Sequence, residues 1–121
     1  MGYYVGDYRQ DAPSHRGWIM GKFIEEGPRK TELAEVKYWE FPAGPNDHPP
    51  KISETLECTL IISGSCEGFI ADDKLSLHAG DYVVIEPGTP NNLNVNVLEP
   101  IKGITIKAPS DPSAKKIVET I

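Results

Sequence analysis

The sequence contains few cysteines, no long apolar run and no cluster of basic residues. Cysteine occurs only twice in 121 residues, and Cys58 and Cys66 have neither a C-x-x-C spacing nor the spacing of a metal site. The apolar runs are a few residues long, which is too short to span a bilayer. The 12 Lys and Arg residues are scattered through a chain of net charge −6. We therefore expect neither a membrane nor a nucleic acid as partner.

The start of the chain also lacks the features of a secretion signal. It reads Met-Gly-Tyr-Tyr-Val-Gly-Asp, without a basic segment followed by an apolar one. We therefore expect a cytoplasmic protein. A length of 121 residues is sufficient for one domain with a single core.

Short alternating segments separated by Gly, Pro and Asp turns dominate the rest of the sequence and predict an all-β barrel or sandwich. About eight strands are expected, over residues 16–24, 33–41, 57–64, 66–71, 74–78, 82–85, 93–97 and 101–107. Residues 44–53 contain three prolines and are predicted to be an irregular connection. The predicted organisation is an N-terminal arm (1–15), a barrel (16–108) and a tail (109–121) with one helical turn or an edge strand.

The segment Glu57–Gly64 places a carboxylate in phase with apolar residues. Glu57, Thr59 and Ile61 share one face of the predicted strand. A buried carboxylate requires water or a partner, because an unpaired buried charge is very unfavourable. The sequence therefore predicts a hydrated or ligand-filled interior beside Glu57.

A two-residue hairpin at Ser63-Gly64 is predicted to end this strand. In that register Ile61 pairs with Cys66, Cys58 faces Phe69, and the two sulfurs lie on opposite faces of the ribbon, where they cannot form a disulfide. We interpret both cysteines as free buried thiols.

Two stretches resemble the sequence signatures of the cupins. Gly80–Asn91 (Gly-Asp-Tyr-Val-Val-Ile-Glu-Pro-Gly-Thr-Pro-Asn) resembles the second cupin signature, and Glu57 followed by Gly64 resembles the end of the first. The resemblance implies a cupin double-stranded β-helix, also called a jelly-roll barrel, with a pocket inside the barrel. It also implies a homodimer.

The histidines that bind metal in many cupins are absent from the corresponding positions. The first-signature positions hold Lys51 and Ser53, or Pro50 and Ile52 in the other spacing, and the second-signature position holds Asn91. Of the four ligands that the resemblance implies, only Glu57 is present. We therefore expect no metal cofactor, and an ion pair between Lys51 and Glu57 in its place.

The resulting prediction is a small-molecule-binding or regulatory cupin domain whose pocket is formed by Lys51, Ser53, Glu57 and Asn91. An anionic ligand, such as a carboxylate or sugar acid, would suit Lys51. The aromatic residues of the early strands are interpreted as core, or as a stacking surface if they reach the barrel interior; they are Trp18, Tyr38, Trp39 and Phe41. His15 and His78 are predicted to lie on the surface.

Two alternatives remain open. The domain could be an enzyme. One form of this alternative is a metal-dependent oxygenase or isomerase that binds a divalent ion through Glu57 and His48. The other is a metal-free isomerase or lyase that uses Lys51 and Glu57 as acid and base. It could instead be an oligomerising subunit with a vestigial pocket, which associates through the tyrosine-rich arm or the face of residues 93–97.

Overall fold

Within residues 2–118, which the computed structural model describes, the chain forms nine β-strands and one short helix. The helix α1 spans Tyr8–Ser14. The strands are β1 (Trp18–Met20), β2 (Glu35–Phe41), β3 (Gly44–Pro45), β4 (Lys51–Ser53), β5 (Leu56–Ile70), β6 (Asp73–His78), β7 (Tyr82–Ile85), β8 (Asn91–Ala108) and β9 (Lys115–Ile117). All nine strands belong to one curled antiparallel sheet. The prediction of an all-β fold is confirmed.

The two longest strands, β5 and β8, connect the two halves of the sheet. The first part of β5 pairs with residues 103–108 of β8, and its second part pairs with residues 91–102. The first part of β5 also pairs with β7, and the second part with β6. Strand β8 in turn pairs with β2, β3 and β4. Because both long strands belong to both halves, the sheet encloses an interior.

The first part of β5 has the alternation that the sequence predicts. Glu57, Thr59 and Ile61 are at most 2% exposed, whereas Leu60 and Ile62 are 38% and 49% exposed. One face of the strand therefore points into the interior and the other points outward.

The predicted hairpin at Ser63-Gly64 is wrong, because β5 continues through both residues to Ile70. Gly64 has a φ of +84°, and register shifts occur on both sides of it. A Cβ at this position would overlap the Pro100 carbonyl group of β8. The glycine therefore forms a bulge that bends the strand.

The cysteine pairings that followed from that hairpin are also wrong. Cys58 pairs with Val84 and Ile106, and Cys66 pairs with Leu77 and Val97. Both cysteines are free. Cys66 is fully buried, but Cys58 is only half-buried, on the outward face.

The apolar core fills one end of the barrel. Its buried residues come from five strands and are Trp39, Ile61, Cys66, Leu77, Ile85, Leu93, Val97 and Ile101. The predicted strands 93–97 and 101–107 are parts of β8, and residues 96–97 also pair with β3. Residues 96–97 are therefore covered by a neighbouring strand on that side.

The N-terminal arm packs on the barrel and contains α1, which the sequence did not predict. The Asp7 side chain caps the helix by accepting a hydrogen bond from the Arg9 backbone N–H at 2.9 Å. The rings of Tyr8 and Tyr38 lie 4.2 Å apart and attach the helix to β2. No helix within residues 2–118 has the length and apolar character needed to cross a membrane.

Three other predictions need correction. Only residues 18–20 of the predicted strand 16–24 are extended, and the 44–53 connection contains two short strands, β3 and β4. The His15 side chain is 17% exposed, so it is partly buried rather than fully on the surface. The tail forms strand β9 as far as residue 117, and residues 119–121 lie outside the described part of the chain.

Candidate functional site

A row of three charged side chains crosses the interior face of the sheet. Lys107 on β8 lies opposite Glu35 of β2 on one side and opposite Glu57 of β5 on the other. Each of the three residues is at most 6% exposed. The polar end of the barrel interior is therefore a Glu-Lys-Glu row.

The next row towards the core is formed by hydroxyl groups and a lysine, because Thr105 pairs with Lys37 and Thr59. Trp39 Nε1 donates to Thr105 Oγ1 at 2.9 Å, and the two threonine hydroxyl oxygens lie 2.8 Å apart. Thr59 Oγ1 donates to Glu57 Oε2 at 3.4 Å. Since each hydroxyl has one hydrogen, Thr105 donates to Thr59. The chain of donors therefore ends on the Glu57 carboxylate.

Glu57 also contacts two lysines. Lys51 Nζ lies 2.8 Å from Glu57 Oε1, so the expected ion pair is present, and Lys107 Nζ lies 3.8 Å from the same oxygen. The Lys51 side chain is 23% exposed, whereas that of Lys107 is 8% exposed. One buried carboxylate therefore has two ammonium neighbours, of which Lys51 makes the direct hydrogen bond.

Burial perturbs the ionisation of the row. Burial, followed by the nearby Lys51 charge, lowers the pKa of Lys107 to about 8 against the opposing effect of Glu57 and Glu35. Burial also raises the pKa of Glu35, against the effect of Lys107. Lys107 is consequently an amine that can lose its proton near neutral pH.

These rows line a cavity of about 610 Å³. Four aromatic side chains contribute to its wall: Trp18, Phe23, Trp39 and Phe41. Five cationic side chains line it, namely Arg16, Lys37, Lys51, Lys107 and Lys115, together with three acidic ones, Glu35, Glu57 and Asp111. With all groups in their ordinary charge states, the wall is therefore positive although the whole chain has a net charge of −6.

Two asparagines on the cavity wall have amide oxygens that find no hydrogen-bond partner within the described part of the chain. Asn91 is 1% exposed, and its Nδ2 donates to the Thr89 carbonyl oxygen at 3.1 Å. The buried Oδ1 atoms of Asn91 and Asn94 accept no hydrogen bond from residues 2–118. An unsatisfied buried acceptor is unfavourable, so a donor that reached either oxygen from the cavity would stabilise it.

The structure brings together three of the four predicted ligand-binding residues. Lys51, Glu57 and Asn91 line the cavity, but Ser53 is not among its lining residues. The Ser53 hydroxyl is buried against Thr55, with 2.8 Å between their oxygens. Ser53 therefore supports the turn between β4 and β5.

The histidines differ in position. His48 lines the cavity, where its ring packs edge-on against Phe41 with 5.4 Å between the centroids. His78 is exposed at the end of β6, as predicted.

Sequence reasoning missed Lys107 and Glu35. Lys107 is in phase with Ile101, Gly103 and Thr105 on β8, and all four are buried. Glu35 is likewise in phase with Trp39 on β2. The sequence did contain a signal for both residues, because each is a charged residue in phase with the inward-facing residues of its strand. The same signal identified Glu57.

The donor set does not fit the metal that many cupins bind. Among residues 2–118, no group of three His, Cys, Asp or Glu side chains could hold a metal ion. The Glu57 carboxylate faces the ammonium groups of Lys51 and Lys107, which repel a divalent cation. The amide of Asn91 is a weak ligand for a transition metal.

Solved structures show the same architecture. A protein with a double-stranded β-helix domain from Klebsiella pneumoniae aligns with a TM-score of 0.65 and 21% identity over 74% of this chain and 78% of that chain. A cupin protein from Bacteroides fragilis aligns with a TM-score of 0.58 and 26% identity over 66% and 69% of the two chains. A nucleoside dehydratase aligns with a TM-score of 0.63 and 14% identity over 78% and 75%.

No protein-family model and no curated protein matches the sequence. The structural similarity and the topology of β5 and β8 define a double-stranded β-helix. This is the fold of the cupins, as the resemblance at Glu57 and Gly80–Asn91 implied.

Proposed function

We propose that this protein binds a small organic anion inside the barrel, without the help of a metal ion. The observation that carries the proposal is the charge of the cavity wall. Five of the 12 Lys and Arg residues of an acidic chain line one cavity, with only three acidic residues among them. Positive potential inside a concave, low-dielectric site attracts an anion and raises its local concentration.

The arrangement of the cations supports entry of the anion from the rim. Arg16 and Lys115 are exposed, Lys37 and Lys51 are half-buried, and Lys107 is buried. At the buried end, Glu57 and Glu35 balance Lys51 and Lys107. The excess of positive charge therefore comes from Arg16, Lys37 and Lys115, which have only Asp111 as a further acidic neighbour on the wall. A ligand carboxylate would supply the missing negative charge through charge-assisted hydrogen bonds.

The remaining lining indicates what the anion carries. The aromatic wall suits an apolar or flat body, and a volume of about 610 Å³ is within the range of small-molecule sites. The free amide oxygens of Asn91 and Asn94 would accept hydrogen bonds from hydroxyl or N–H groups. The proposed ligand class is therefore a small carboxylate with an aromatic or hydroxylated body.

The test compares 3-phenylpropionate with its neutral isostere 3-phenylpropanamide in thermal denaturation. The anion should raise the Tm in a concentration-dependent way, since ligand at 100 times its Kd stabilises the folded state by about 2.7 kcal/mol. The amide should have a much smaller effect. Lys51→Met should abolish the difference, whereas Lys116→Met, which removes an exposed lysine, should retain it. Equal effects of the two compounds, or none, would overturn the proposal.

A second candidate is a metal-free acid–base enzyme, and one observation favours it. The cavity contains an amine with a pKa of about 8, on Lys107, beside Glu35, whose pKa is raised. Enzymes use such perturbed groups to move protons. The test is deuterium exchange into the methyl group of pyruvate, followed by proton NMR. Catalysed exchange that is lost in Lys107→Met supports this activity, and exchange at the buffer rate opposes it.

A further inference from the structure

The amino group of Lys107 is the buried group of the cavity that the proposed binding function does not fully use. Its side chain is 8% exposed, and the residue lines the cavity. Its nitrogen lies 3.8 Å from Glu57 Oε1, beyond hydrogen-bond distance. The direct bond to that carboxylate comes from Lys51 instead. Lys107 therefore lines the cavity without making a direct hydrogen bond to Glu57.

We infer that Lys107 captures the carbonyl group of a small oxo acid as an imine, while Lys51 binds the carboxylate of the same molecule. This inference rests on the proposed anion-binding function and names the ligand class more closely. Both lysine nitrogens lie within 3.8 Å of one oxygen, Glu57 Oε1. They are thus close enough for one small molecule to contact both.

The surroundings of Lys107 favour a nucleophilic amine. A lysine becomes nucleophilic when burial or a neighbouring cation favours its neutral form. Burial and the Lys51 charge both act in this direction, and they lower the pKa of Lys107 to about 8. The charged groups that face it from the neighbouring strands are Glu35, Glu57, Lys51 and Lys115.

The proposed step is balanced within the site. The lone pair of the neutral amine attacks the carbonyl carbon, a C–N bond forms as the C=O π bond breaks, and the oxygen takes up one of the two protons that the nitrogen held, to give a carbinolamine. The C–O bond then breaks, the nitrogen loses its remaining proton, and one water molecule leaves. Glu35 lies opposite Lys107 in the row and lines the same cavity; in this proposal its carboxyl group donates the proton that the departing hydroxyl needs and takes back the one that the nitrogen loses. No oxidant or reductant is required.

The experiment uses phenylpyruvate as the probe and phenyllactate as the matched anion without a ketone. Wild-type protein is incubated with each compound and with sodium cyanoborohydride, which reduces imines to stable secondary amines. Peptide mapping by mass spectrometry then locates the adduct. We expect phenylpyruvate to modify Lys107 and phenyllactate to modify no residue. The adduct yield should rise with pH through about 8, the pKa of Lys107.

Two variants and one binding measurement make the outcomes distinguishable. Lys107→Met should lose the adduct, and Lys102→Met, which changes an exposed lysine of the same strand, should retain it. If both anions raise the Tm but no adduct forms on Lys107, the imine is refuted and anion binding stands. If neither anion raises the Tm, the binding proposal itself fails. An adduct mainly on Lys51 or on exposed lysines would also overturn the inference.

Discussion

Replacing Lys107 by methionine should change how the stability of the protein depends on pH. The pKa of this amine falls from an ordinary 10.5 to about 8 in the folded protein, chiefly because the side chain is buried. The difference corresponds to roughly 3 kcal/mol, because each pKa unit is about 1.4 kcal/mol. Only 8% of the side chain is exposed, so solvent screening removes little of this value.

The sign follows from the proton-binding balance. Between about pH 8 and 10.5 the unfolded chain holds the Lys107 proton and the folded protein has released it. Stability therefore rises with pH across this window, and the cost of burying the charge is fully present below it. The variant lacks this group, so its curve should be flatter across the same window.

The assay is urea unfolding of the wild type and of Lys107→Met at a series of pH values. The wild-type free energy of unfolding should gain about 3 kcal/mol relative to the variant between about pH 8 and 10.5. The control Lys102→Met removes an exposed lysine from the same strand and should give a curve parallel to the wild type. A constant difference between wild type and Lys107→Met across the window would refute the reasoning.

Three further predictions concern other parts of the structure. Lys51→Met breaks the 2.8 Å pair with the buried Glu57 and should lower the free energy of unfolding, measured in urea, by about 2 kcal/mol. This loss is smaller than that of a fully unpaired buried charge, because Lys107 remains near Glu57. The exposed pair Lys116–Glu54 is the control, and an equal loss in Lys116→Met would contradict the account. Gly103→Ala places a Cβ against the Trp39 indole ring and should cost about 1–3 kcal/mol with a shift in tryptophan fluorescence, so an unchanged spectrum and stability would count against the described packing. The outer face of β5 and β7 carries exposed apolar residues, including Val84, and we propose it as the interface of the expected homodimer. Sedimentation should then show that Val84→Lys dissociates the dimer and that Leu33→Lys, at another exposed apolar position, does not. A monomeric wild type would refute this prediction.

The sequence could predict what depends on local alternation. Strand β7 occupies residues 82–85 as expected, and the inward face of Glu57, Thr59 and Ile61 is as predicted. Both results follow from the period of two along a strand, which requires no knowledge of the strand's partners. The ion pair between Lys51 and Glu57 was predicted from the resemblance to the cupins, which puts Lys51 at a ligand position, together with the need of a buried carboxylate for a counter-charge.

Features that depend on long-range pairing were not predictable in this way. Ser63-Gly64 has the composition of a hairpin turn, but Gly64 forms a bulge against Pro100 of β8, 36 residues further along the chain by their numbering. The Glu35–Lys107–Glu57 row joins three strands that are distant in sequence. Only the register of the sheet brings these charges together, so local patterns mark each residue as inward-facing but not as neighbours.

The central claim is that the barrel cavity binds a small organic anion without a metal ion. Calorimetric titration of 3-phenylpropionate into the 121-residue chain, in the presence of a chelator, tests it most directly. The account predicts saturable binding of one anion per chain that the chelator does not change, that weakens with added salt and that is lost in Lys51→Met. Absence of binding in both the presence and the absence of the chelator, or binding that appears only when a divalent metal is supplied, would contradict it.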